Sequence, residues 1–283
     1  MGQTVGCRFS TNRIQRTGQR VEEPQPADYT RHIVVAKNDP RMRFRFKFAP
    51  SSPRVVEAPT VLEDSTRQPL IARFYYRFID EGNVASFVRE VSLHYTPVTL
   101  QRVVRFGGRA GRRGAALALT LIGGPDGAAA VGEALQDEDR GVRMIAEQGL
   151  PAMWLRAAGP EAALLLQSVL RLNAMGDHLE ALDSADELLA SYPTLGEAWR
   201  QRAEAQRSLG VFEEAVGSYQ QALECEPFHF QAAWDMAECY LELGDAFRAI
   251  DCLKYLLQIH PHYELARMQL LRLQRDLREQ ADF

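Results

Sequence analysis

Long apolar runs are missing from this sequence. None approaches the roughly 20 residues that a membrane-spanning helix needs, so no bilayer-crossing segment is expected. Cysteine is scarce, and Cys7, Cys225, Cys239 and Cys252 form neither a CxxC pair nor a metal-ligand spacing. That usage fits a reduced, cytoplasmic setting in which the last three pack as small apolar residues. Histidine is also sparse. His260 and His262 flank a proline and His229 sits in "EPFHF", with no cysteine or carboxylate at ligand spacing, so neither a metal nor a cofactor is expected. No GxSxG or other nucleophile motif appears, and no catalytic residue is assigned. "FGGRAGRRG" is rich in glycine, but it follows no strand and lacks the Lys-Ser/Thr ending of a phosphate loop.

Targeting signals are weak. "MGQT" opens like a myristoylation site, yet Gly6 stands where Ser or Thr is wanted, and no apolar stretch leads into "TVGC". The acid-free, Arg-rich first 21 residues share the composition of a transit peptide. Lysine is nearly absent, three residues against thirty arginines. The net charge of −4 hides an asymmetry: residues 1–113 hold 20 basic and 10 acidic side chains, while residues 114–283 hold 13 and 27. A basic front on an acidic body suits an arm that touches its own body, an acidic partner or a nucleic acid.

What the chain does have is a repeat. Gly176, Gly210 and Gly244 are 34 residues apart, and so are Ala181, Ala215 and Ala249, and Pro193, Pro227 and Pro261. Glycine permits a tight turn between two helices, alanine lets them approach, and proline ends the second helix. The middle unit, "GEAWRQRAEAQRSLGVFEEAVGSYQQALECEP", resembles the tetratricopeptide repeat through Trp199, Ala203, Gly210, Ala215, Tyr219, Ala222 and Pro227. The next unit matches through Ala237, Tyr240, Gly244, Ala249 and Pro261, and the first keeps Gly176, Ala181 and Pro193. "YELARMQLLRLQRDLREQ" follows as an amphipathic capping helix.

The resemblance implies a groove lined by the first helix of each unit. Its positions here are Leu166, Leu170, Asn173, Arg200, Glu204, Arg207, Trp234, Glu238 and Glu242. Arginine, glutamate and one tryptophan in a shared groove suit a protein or peptide partner, because aromatic and arginine side chains supply most interface hot spots. The basic clamp with which some members grip acidic carboxyl termini is not matched, since Leu166 and Leu170 stand in its place. Arg202 occupies an inner position that the repeat normally fills with leucine, so its guanidinium must snorkel to solvent or find a carboxylate. "EAWRQRA" also resembles a variant recurring in bacterial proteins of this class.

Ahead of the repeats, "LQDEDRGVRMIAEQGL" concentrates Asp137, Glu138 and Asp139 beside two arginines. Val142, Ile145, Ala146, Gly149 and Leu150 then share one helix face, and Asp139 is placed to cap the first turn. "RRGAALALTLIGG" repeats the pattern thirty residues upstream, with Arg113 aligned to Arg143 and Ala116 to Ala146. Together these segments resemble HEAT-type repeats of the lyase-associated kind, in which an aspartate and an arginine pair between neighbouring units. Asp137 and Arg143 fit those places, although the first unit has Gly107 instead of the aspartate. The acids therefore read as caps and pairs rather than as a catalytic dyad, which needs two carboxyls held across a cleft.

"RQPLIARFYYRFIDEGNVASFVREVSL" reads as two helices broken near Glu81-Gly82-Asn83. Phe74, Phe78 and Ile79 share a face of the first, and Val84, Phe87, Val88 and Val91 a face of the second. The first 60 residues lack helical periodicity and read as largely disordered. Within them "RMRFRFKF" alternates Phe44, Phe46 and Phe48 with basic residues, a strand pattern that "RHIVVAKNDP" would complete as a hairpin. Such a segment either pins its phenylalanines to the acidic body or binds nucleic acid by charge and stacking.

The expectation is an all-α superhelical solenoid: a basic arm (1–60), a helical hairpin (61–95), HEAT-like repeats (96–160), three tetratricopeptide units (161–263) and a capping helix (264–283). The function expected is a non-enzymatic protein-interaction scaffold. The alternatives are nucleic-acid binding through the arm and, implied only by the HEAT resemblance, an accessory role in cofactor or prosthetic-group attachment.

Overall fold

The structure is a computed structural model that describes residues 69–281, all within one compact unit, 51–283. The expected arm, with its Arg/Phe strand and hairpin, lies outside the described residues. Among the described residues every regular element is a helix, so the fold is an all-α array of packed helices. None of them is long and apolar enough to cross a membrane.

The first pair breaks where the sequence indicates. Helix α1 (Leu70–Glu81) ends at Gly82, whose φ of 66° is left-handed, a conformation that costs glycine little. Asn83 starts α2 (Val84–His94), its side chain accepting a hydrogen bond from the Ser86 N–H at 3.0 Å. The faces differ in detail from the expected ones. Ile71, Ala72, Phe74 and Tyr75 are buried from α1, and Phe87 and Val91 from α2. Ile79 is 59% exposed and Val84 43% exposed, because each sits at a helix end beyond the packed stripe.

Helices α3 (Pro97–Phe106), α4 (Arg109–Ile122), α5 (Pro125–Glu133) and α6 (Arg140–Ala157) form the next layer. Helix α4 is its centre and packs on α1, α3 and α6. Small residues allow the close approaches. A Cβ on Gly114 would meet the Ile71 carbonyl oxygen at 2.8 Å, and one on Gly149 would meet the Thr120 side chain at 2.1 Å. Val142, Ala146 and Leu150 are fully buried on the inner stripe of α6. The helix continues through Pro151, which donates no hydrogen bond to the Glu147 carbonyl one turn earlier.

Three helix pairs follow: α7 (Gly159–Met175) with α8 (His178–Ser191), α9 (Gly196–Ser208) with α10 (Phe212–Cys225), and α11 (Phe230–Glu242) with α12 (Ala246–Ile259). Helix α13 (Glu264–Ala281) packs on α12. The 34-residue register has a direct physical meaning here. Gly176, Gly210 and Gly244 turn the chain with φ of 87°, 79° and 73°, and Ala181, Ala215 and Ala249 are fully buried at the crossing of each pair.

The array departs from a simple linear stack, in which each unit touches only its neighbours. Helix α6 lies across the turns that join successive pairs. His260, at the end of α12, donates from Nε2 to Glu147 Oε1 at 2.9 Å across 113 residues of sequence. The ring of Trp154 stacks on His229 with centroids 4.4 Å apart, and the Glu226 carboxyl takes a hydrogen bond from Trp154. Glu161, near the start of α7, reaches Tyr192 in the same way. Tyr192, Glu226 and His260 are equivalent positions, each the residue following the second helix of a pair. Their partners Glu161, Trp154 and Glu147 are seven residues apart. Glu147 and Trp154 lie on α6, where seven helical residues rise about 10.5 Å, close to the 8–10 Å separation of packed helices, so α6 keeps step with two stacked turns; the chain breaks at Gly159 (φ 83°) before Glu161 meets the third.

Candidate functional site

The first helices α7, α9 and α11 stand side by side and bring most of the groove residues onto one face. Their placement follows helix periodicity: Arg200, Glu204 and Arg207 succeed one another along α9, as Trp234, Glu238 and Glu242 do along α11. Leu166 is the exception. It is fully buried in the core between α7 and α8, so it belongs to the packing of the first unit and not to the groove.

The floor of the face is a connected polar network. Asn173 donates from Nδ2 to the Gln201 backbone oxygen and to its side-chain oxygen, both at 2.9 Å. Gln201 in turn donates to Glu197 Oε1 at 2.8 Å, and Arg200 donates to the same oxygen from NH2 at 2.9 Å and from Nε at 3.1 Å. Across the interface Arg200 NH1 reaches Asp235 Oδ2 on α11 at 3.5 Å. Glu197 Oε2 accepts from His229 Nε2 at 2.9 Å, which leaves His229 Nδ1 to accept the Ala232 N–H and cap α11.

The electrostatics of this network follow from burial and one shared cation. Burial disfavours the charged form of the ionisable members, and it holds the fully buried His229 below its usual value, so the imidazole is neutral. Burial opposes ionisation of Glu197 too. The His229 hydrogen bond and the Arg200 charge outweigh it and bring the carboxyl down to about 2. Asp235 shares the same guanidinium at longer range, and burial pushes it up to about 6. Arg200 therefore serves two carboxylates and neutralises only the nearer one fully.

Further along α9, Arg207 makes a two-pronged contact with Glu204 at 2.8 and 3.0 Å from NH2, with Nε at 3.2 Å. The Tyr219 hydroxyl donates to Glu204 Oε2 at 3.3 Å, and burial raises the Tyr219 phenol. Trp234 is half-buried and lies 5.8 Å from the Tyr263 ring. Glu238 and Glu242 form no ion pair with another described residue. The sequence reading missed Glu197, Gln201, His229 and Asp235. The first, second and fourth share the helices of the expected groove residues, whereas His229 comes from a loop and carried no periodic signal.

Arg202 finds the partners its inner position demands. It donates from Nε to Asp186 at 2.5 Å and from NH1 to the Ser218 hydroxyl at 2.7 Å, with its guanidinium 5.8 Å from the Trp199 ring centroid.

The acidic stretch before α6 serves structure, with one change of partner. Asp137 does not pair through its carboxylate with Arg143. Arg143 NH1 donates to the backbone oxygens of Asp137 and Glu138 at 2.7 and 2.9 Å. The Asp137 carboxylate instead receives Arg112 at 2.8 and 2.9 Å, and Asp139 receives Arg113 at 2.7 and 2.8 Å. The pairing between α4 and the start of α6 thus comes from two adjacent arginines on α4, because Arg143 lies on the same helix start as the acids and reaches only their main chain. Asp139 also caps α6, accepting the Val142 N–H at 3.1 Å. The Arg113 hydrogen bond outweighs burial and holds its carboxyl at about 2. Among the described residues no group of three or more His, Cys, Asp or Glu side chains is placed to hold a metal ion.

Residues 231–263 match the family model described as tetratricopeptide repeat. The chain is 31% identical over 103 residues to sperm-associated antigen 1 of Rattus norvegicus and of Mus musculus. That alignment covers 36% of this chain and 11% of each relative, so the chain spans a small part of their length. Among solved structures, the first tetratricopeptide domain of Spaghetti (RPAP3), bound to the HSP90 peptide SRMEEVD, is 19% identical with a TM-score of 0.39. The match covers 41% of this chain and 92% of that one. Residues 231–263 thus match the tetratricopeptide repeat, and the same 34-residue glycine and alanine register runs through all three helix pairs.

Proposed function

We propose that the face formed by α7, α9 and α11 binds an extended segment of a partner protein, and that the chain acts as a non-enzymatic interaction scaffold. One observation carries this reading. The network from Asn173 to Asp235 fixes a rigid polar floor across three helix pairs, while Trp234, Glu238 and Glu242 stand beside it without ion-pair partners among the described residues. A preorganised floor lowers the ordering cost of binding, and a half-exposed tryptophan supplies the kind of anchor that dominates interfaces.

The choice of variant matters. Arg200→Ala would strand Glu197 and Asp235 without their cation, and removing one partner of a buried pair costs about 3–5 kcal/mol, so it tests folding before binding. Trp234→Ala combined with Glu238→Lys changes the free part of the face instead. Crosslinking and mass spectrometry on the full chain would identify the captured protein, and titration of that protein would follow. The variant should still unfold in one cooperative melt, lowered only by the lost Trp234–Tyr263 contact, and bind at least tenfold more weakly. Unchanged affinity with an intact fold would remove the groove reading.

A further inference from the structure

A second concave feature lies away from this face, where the first turns of α6 meet the start of α13. It is a cleft of about 490 Å³. Arg140 and Arg143 line it from α6, and His262 and Arg267 from the other wall. Its acids are Glu147, whose Oε1 is occupied by His260, and Glu264.

The arginines are positioned but not neutralised. Arg143 is anchored by the backbone oxygens of Asp137 and Glu138, which use only one of its nitrogens. Arg267 is anchored through NH2 by the Pro261 carbonyl at 2.6 Å. Arg140 makes neither a hydrogen bond nor an ion pair with another described residue. On α4 the arginines Arg109, Arg112 and Arg113 each meet a carboxylate, whereas Arg140, Arg143 and Arg267 form no ion pair with a described residue, although Glu147 and Glu264 line the same cleft. The two walls come from the first turns of α6, whose end is capped by Asp139, and of α13.

We propose that this cleft binds a phosphoryl group. A carboxylate is planar and is satisfied by a single guanidinium fork. Three guanidinium groups lining one cleft from two helices suit an acceptor with more oxygens and more charge, and phosphate recognition is where arginine outperforms lysine. The cleft volume lies within the range of ordinary small-ligand sites, about 300–1,000 Å³, so it admits more than one bare phosphate. Occupation would tie α6 to α13 and reinforce the contact that His260 already makes with Glu147.

Isothermal titration of the full chain with sodium diphosphate, at constant ionic strength, tests the site. A phosphoserine peptide in a second titration distinguishes a protein-borne phosphoryl group from a free one. Arg140→Gln with Arg267→Gln should weaken binding at least tenfold without lowering the melting temperature, because neither side chain has a carboxylate partner to strand. Glu264→Gln should strengthen it several-fold, and Arg171→Gln with Arg89→Gln, both exposed elsewhere, should leave it unchanged. Absence of binding to either ligand at millimolar concentration would overturn the proposal. So would binding that survives in the Arg140/Arg267 variant within twofold, which would place the phosphoryl group on the Arg-rich first 60 residues or on scattered surface charge.

Discussion

At the scale of single residues, Glu226 shows how the fold sets chemistry near neutral pH. Burial against α6 pushes its carboxyl up to about 7, with the Trp154 hydrogen bond opposing. An acid raised in the folded state contributes its full stability below its unfolded value and loses it as pH rises through the folded value. Glu226→Gln keeps the shape and removes the ionisation. Urea denaturation should find it more stable than the wild type by on the order of 2 kcal/mol at pH 8 and equal to it at pH 4. A gap of the same size at both pH values would show that burial of the charge is not the cause. Two glycines offer a second contrast. Gly149 faces Thr120 with no room for a methyl group, whereas Gly217, inside α10, has nothing within 4 Å of an added Cβ. Gly149→Ala should therefore destabilise by about 1–3 kcal/mol through overpacking. Gly217→Ala should stabilise by about 0.5–1 kcal/mol, because alanine is the better helix former. Thermal melts of the two variants, moving in opposite directions, would check both.

At the scale of elements, what could be read in the sequence was what repeats locally. Gly176, Gly210 and Gly244 had to be glycine for the turns, and Ala181, Ala215 and Ala249 had to be small for the crossings, so their 34-residue spacing located three helix pairs. Asp139 as a cap and Gly82 as a helix end were legible for the same reason, since each acts on its own neighbours in the chain. The groove was legible as a set of positions, but not as a network. Periodicity gives the face on which Arg200 lies, and only packing shows that Asp235 lies opposite it. Arg143, six residues from Asp137, reaches only its backbone oxygen, while the carboxylate takes Arg112 from 25 residues upstream, a partner that the packing of α4 on α6 sets and sequence spacing does not. The strut was not legible. Glu147 and His260 are 113 residues apart, and the seven-residue spacing of Glu147, Trp154 and Glu161 has meaning only once the turns it crosses are known. Trp154 is the test of that element. It is 2% exposed and stacks on His229, so Trp154→Ala should cost about 3–5 kcal/mol. Hydrogen exchange should then show lost protection at the start of α11 and the end of α10, although the substituted residue belongs to α6. Loss confined to α5 and α6 would mean that the strut rests on the repeats without bracing them.

At the scale of the whole described unit, the strut changes how the array should unfold. In an open stack of repeats, stability is a sum of unit and neighbour terms, and end units fray independently. Here the last helix pair is tied through His260 to Glu147 and through His229, the cap of α11, to Trp154, and the middle pair through Glu226 to Trp154. Opening α11–α12 therefore exposes surface on α6, and opening α6 exposes the buried His229–Glu197–Arg200 network of the groove floor. Each event carries the cost of the other, so neither section has an inexpensive partial opening. Pulsed hydrogen exchange across a urea gradient should give one midpoint for helices α1–α6 and α7–α13. Trp154→Ala combined with Glu147→Ala removes both ties, and the two midpoints should then separate, with α11–α13 opening first. Separate midpoints already present in the wild type would mean that the seven-residue strut and the 34-residue repeat touch without sharing their stability, and the groove floor would owe its rigidity to α9 and α11 alone.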